Sequence, residues 1–102
     1  GASASRKDGR SDRITAMRGN DGSWAMVYTA AGKEFRLDLG KLKGRLKAYW
    51  FNPATGKWWV DGVETADMRP FQKGIKAGKG DMTFDPPGNP GNENDWVLIL
   101  RR

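Results

Sequence analysis

Neither histidine nor cysteine occurs among the 102 residues, so any chemistry falls to carboxylates, amides, aromatics and basic groups. Without imidazole or thiolate there is no Ser-His or Cys-His nucleophile pair. A zinc site of nitrogen or sulfur ligands is excluded, as is a histidine switch near neutral pH. Glycoside hydrolysis needs only carboxylates, two of them about 5–5.5 Å or 6.5–9.5 Å apart across a cleft. The pairs to weigh for that role are Asp61 with Glu64 and Asp81 with Asp85. Alternation puts Asp81 and Asp85 on the solvent face of a short strand among turn residues, where charge is simply solvated. The chain is therefore not expected to be an enzyme by itself. A second oxygen cluster, Asp85, Asn89, Asn92, Asn94 and Asp95, has the hard donors calcium favours but not the EF-hand spacing. Asn and Asp are also ordinary turn residues, so neither metal nor cofactor is expected.

The aromatics are the stronger signal: five Trp, four Phe and two Tyr. Leu46, Ala48 and Trp50 point one way along a strand, and Lys47, Tyr49 and Phe51 the other. Assigning Trp58 with Val60 to the inside turns Trp59 outward with Lys57 and Asp61. The hairpin through Asn52–Gly56 then sets Tyr49, Phe51 and Trp59 side by side, flanked by Lys47 and Lys57. Sugar rings and nucleobases stack on such platforms, and a neighbouring domain would cover the same apolar surface. Domain contact is the preferred reading of this face and glycan contact the second. Trp50 and Trp96 are expected inside, Trp59 outside.

Strands must position these residues, since apolar side chains recur with period two and nowhere with a sustained 3.6 period. Ile14–Arg18, Trp24–Thr29, Phe35–Leu39, Leu46–Phe51 and Met82–Phe84 alternate, while Trp96–Leu100 is apolar on both faces. That last pattern belongs to a strand covered on both sides. Asn20-Asp21-Gly22, Ala31-Gly32-Lys33 and Asn52-Pro53-Ala54-Thr55-Gly56 are hairpin-length connections. Glu64–Gly80 reads as an irregular excursion with one anchored Phe71, and the prolines at 86, 87 and 90 exclude regular structure over Asp85–Gly91. The expected fold is all-β, an antiparallel two-sheet β-sandwich of seven to eight short strands over residues 13–102. Residues 1–12 are expected to be a flexible tail or linker.

A net charge of +6 permits polyanion contact, but the basic residues are scattered on solvated strand faces. A basic nucleic-acid-binding β-domain is thus only a third reading, and nucleic acid is not an expected partner. No apolar run approaches the 18 residues of a membrane span, so no membrane partner is expected either.

The run Gly44-Arg45-Leu46-Lys47-Ala48-Tyr49-Trp50-Phe51-Asn52-Pro53-Ala54-Thr55-Gly56-Lys57 has a companion downstream. It is Phe84-Asp85-Pro86-Pro87-Gly88-Asn89 followed by Asn94-Asp95-Trp96-Val97-Leu98. Together with Gly22–Thr29 and Asp38-Leu39 they resemble the domain family named "putative collagen-binding domain of a collagenase", over roughly residues 13–102. The resemblance implies a C-terminal β-sandwich that follows an apiosidase-like glycoside hydrolase barrel in extracellular or periplasmic bacterial enzymes. It implies a catalytic domain in the same chain as partner, with polysaccharide or collagen as further ligands. An independent carbohydrate- or collagen-binding module is the alternative.

Overall fold

The computed structural model describes residues 4–6, 13–78 and 80–102. Within them run ten strands: β1 (Ala4–Arg6), β2 (Ile14–Arg18), β3 (Trp24–Thr29), β4 (Phe35–Asp38), β5 (Arg45–Asn52), β6 (Lys57–Val60), β7 (Val63–Thr65), β8 (Gln72–Lys76), β9 (Asp81–Phe84) and β10 (Trp96–Arg101). Every pairing among them is antiparallel. A three-stranded sheet, β1-β4-β9, lies over a seven-stranded one ordered β2-β3-β10-β5-β6-β7, with β8 beside β5. The expected two-sheet β-sandwich is the observed fold. Period-two alternation builds it by sending one side chain in two to the shared interior.

That interior is aromatic at its centre. Trp50, 2% exposed, stacks on Phe71 at 5.3 Å. It also meets Phe35, Phe84 and Trp96 edge-on at 6.3–6.5 Å. Leu46, Ala48, Leu98 and Leu100 from the large sheet and Phe35 and Leu37 from the small one fill the remainder. Trp96 is 4% exposed, so both tryptophans expected inside are there. Strand β10 lies between β3 and β5, the central position its two apolar faces suit.

Three strands, β1, β7 and β8, had no clear sequence signal. Ala4–Arg6, inside the expected tail, pairs with β4 from Ala4↔Leu37 to Arg6↔Phe35. Small and polar residues give no alternation, and what fixes this strand is backbone pairing along the β4 edge. The rest of the expected tail lies outside the described residues. Part of the stretch expected to be irregular forms β8, which buries only Ile75. It holds Gly74 at φ +69° where its register against β5 shifts between Leu46 and Ala48, as a bulge requires. Phe71 is the anchor of that stretch, its amide donating to the Ala48 carbonyl at 2.9 Å.

Two members of the oxygen cluster, Asn94 and Asp95, are committed to hydrogen bonds within the fold. Asn94 Nδ2 donates to the carbonyls of Pro87 (3.0 Å) and Asn89 (2.9 Å), and Trp96 Nε1 donates to Asn94 Oδ1 at 2.8 Å. One side chain thus ties the proline-rich loop to the first residue of β10. Gly32, at φ +61°, presses so closely on this amide that a Cβ there would collide with Nδ2.

Candidate interaction face

The register of the large sheet fixes which side chains share its outer face. Across the strands run Thr15, Tyr28, Val97, Phe51, Trp58 and Thr65, and beside them Met17, Met26, Ile99 and Tyr49. A third row joins Trp24, Arg101 and Lys47. Ala25, Val27 and Thr29 turn inward, which leaves Trp24, Met26 and Tyr28 about 38–40% exposed. Met17 and Val63 reach 51% and 60%. The face is apolar well beyond the hairpin that sequence singled out.

That hairpin holds the one reversal of the predicted site. Trp50 pairs with Trp59 and Phe51 with Trp58, and directly paired residues share a face. Trp59 therefore packs against the core beside Trp50, while Trp58 joins Tyr49 and Phe51 outside. The four residues Pro53–Gly56 between the strands, with Asn52 before them, set this register. Gly56 N bonds the Asn52 carbonyl at 2.8 Å and Ala54 N bonds Asn52 Oδ1 at 2.9 Å. Facing depends on that turn's geometry, and a slip of one residue exchanges the two tryptophans. Lys57, exposed opposite Asn52, follows Trp59 to the other side. Lys47 stays on the outer face, exposed beside Arg101.

The aromatics brought together make a self-packed cluster. Trp58 lies 5.0 Å from Phe51 at 61° and 6.0 Å from Tyr49 at 72°, and Tyr49 is only 7% exposed. Edge-on rings present a ridge, not the flat floor on which a pyranose stacks. At the far end, a groove of about 550 Å³ is lined by Trp24, Met26 and Met68. Ile99 and Arg101 also line it. Trp24 is held there by Gly19, where a Cβ would strike the indole.

Between these ends Tyr28 donates its hydroxyl proton to Asp95 Oδ2 at 2.5 Å, and Ala31 N donates to Oδ1 at 2.9 Å. The Tyr28 hydrogen bond, reinforced by the Ala31 amide, holds the Asp95 carboxyl below its ordinary range. The same bond raises the Tyr28 phenol. A depressed carboxyl stabilises the fold above its unfolded-state pKa and loses that contribution as pH falls through the folded one. Wild type should therefore lose its stability advantage over Asp95→Asn in acid, below about pH 4. Urea midpoints of the two proteins between pH 7 and 2.5 should converge, and a constant gap would refute the coupling.

Of the carboxylates considered for catalysis, Asp61, Glu64, Asp81 and Asp85 are all exposed and none lines the groove. Among the described residues no group of three or more acidic side chains could hold a metal.

A family model described as "Putative collagen-binding domain of a collagenase" matches residues 3–101. A solved structure called "Glycoside hydrolase" superposes over 98% of the chain with a TM-score of 0.69 at 24% identity. A glycoside hydrolase family 5 structure from Bacteroides vulgatus ATCC 8482 superposes over 90% with a TM-score of 0.65 at 26% identity. The chain spans only 19% and 17% of those two proteins. No curated protein sequence matches it.

Proposed function

The chain belongs to the family described as "Putative collagen-binding domain of a collagenase", and from that premise we propose that it is a non-catalytic accessory domain of a bacterial glycoside hydrolase. It acts outside the cell or in the periplasm, docked on the catalytic domain of its own chain through the aromatic end of the large sheet. The observation that carries this reading is the contiguous apolar surface formed there by Tyr28, Val97, Phe51, Trp58 and Val63. Left in water, such a surface costs about 25 cal/mol per Å². The two solved relatives named as glycoside hydrolases are five to six times longer by their coverage, which supports a catalytic domain as the cover.

In a full-length hydrolase, amides of residues 58–63 should exchange more slowly than in the isolated domain. The pair Trp58→Asp and Val63→Asp should abolish that protection and expand the scattering envelope. Equal exchange in both contexts would overturn the docking. Contact with polysaccharide is the second element of the reading, favoured by the groove beside Trp24.

A further inference from the structure

The end of the large-sheet face farthest from the aromatic cluster carries an arrangement that stability alone disfavours. Arg101 stands directly opposite Lys47, and Arg45 directly opposite Lys76. Residues 45 and 47 alternate with the buried Leu46 and Ala48, so both pairs lie on the outer face, and all four side chains are exposed. Like charges facing one another across strands are destabilising, and two adjacent such pairs concentrate positive potential in one spot. A local rule broken without a stabilising return is the mark of a site that serves something else.

This cationic strip adjoins the groove, because Arg101 belongs to both. The groove's about 550 Å³ falls within the range of about 300–1,000 Å³ usual for small-ligand sites. Trp24 offers an indole and Met26, Met68 and Ile99 an apolar lining, suited to the C–H face of a sugar ring. The Arg101 guanidinium, a planar fork of donors, suits a carboxylate on that ring.

We propose that this groove and strip bind an acidic polysaccharide, with a pyranose ring against Trp24 and its carboxylate on Arg101, the next anionic units running toward Lys47, Arg45 and Lys76. The proposal refines the polysaccharide contact above and is independent of docking by the aromatic end. Ligands of neutral sugars would gain nothing from the strip, and a nucleic acid would gain nothing from a groove with one indole and no set of stacking platforms.

The test is titration of the chain with alginate, dextran and single-stranded DNA at physiological salt. Alginate should bind at least tenfold more tightly than either of the others. Arg101→Gln and Trp24→Ala should each weaken alginate binding tenfold or more, and Lys57→Gln, an equal charge change elsewhere, should not. Arg101→Gln should at the same time raise the melting temperature of the free protein, since it removes a repulsion, which a merely structural arginine would not do. Equal binding of dextran or DNA, or indifference to Arg101→Gln in a variant that still folds, would overturn the site. Loss of alginate binding with residues 58–63 still protected in the full-length hydrolase would leave the docking untouched.

Discussion

Trp50→Ala should destabilise the domain by about 3–5 kcal/mol, enough to consume a large part of the 5–15 kcal/mol typical of a domain. Four other aromatic rings use this indole as their common neighbour: Phe71 against its face, and Phe35, Phe84 and Trp96 on its edges. Those rings come from both sheets and from the excursion before β8, so none can collapse into the void without dragging its own backbone. Aromatic pairs also contribute about 0.5–1.5 kcal/mol each beyond area burial. Urea unfolding followed by tryptophan fluorescence measures the loss directly. A midpoint shift equivalent to less than about 1 kcal/mol would mean that the interior repacks freely, contrary to close-packed cores.

Asn94→Ala is expected to cost about 2–4 kcal/mol, as a sum of three hydrogen bonds at about 0.5–1.5 kcal/mol each. Its amide satisfies two carbonyls of a loop whose prolines cannot supply donors of their own, and it receives the Trp96 indole N–H. Removal leaves three polar groups to find new partners at once and frees the loop from β10. The melting temperature should drop on the order of 10–25 °C. Asn92→Ala, two residues away and exposed, serves as the control and should stay within about 0.5 kcal/mol. Equal melting temperatures for the two variants would remove the clamp.

The motif that carried the family resemblance is thereby given a physical meaning. Pro86-Pro87-Gly88 and Asn94-Asp95-Trp96 are two halves of one lock, and Asp95 adds the Tyr28 and Ala31 bonds. Sequence spacing brought these residues to notice but could not say that they meet, because five residues of turn-rich chain, 89–93, separate the halves. Strands with alternating side chains were legible, and so were the inward Trp50 and the double-faced β10. The facing of Trp58 and Trp59 was not, since two adjacent indoles satisfy either register and only the turn at Asn52–Gly56 chooses. The groove was hidden for another reason. Trp24, Met26 and Tyr28 alternate with Ala25, Val27 and Thr29, and either set could have been the inward one. Small residues won because the large strand partners Leu98 and Leu100 already fill the interior beside them. The like-charge pairs escaped notice because their meaning lies in register across strands, and single-strand alternation reads them as ordinary solvated charge.

Strand β10 occupies the middle of the large sheet although it comes last in the order of elements. A ribosome therefore delivers β3 and β5 with a vacant slot between them, two open edges whose partner is still unmade. Neither edge can be paired, nor Trp50 given its neighbour Trp96, until residues 96–101 have left the exit tunnel. The hairpins can form as they emerge, since their contacts are local, but the transition to a native core must wait for the whole stretch and close loops tens of residues long. Such a domain is made all at once and late, and in the interval its unpaired edges are what a chaperone, or another nascent copy, would meet.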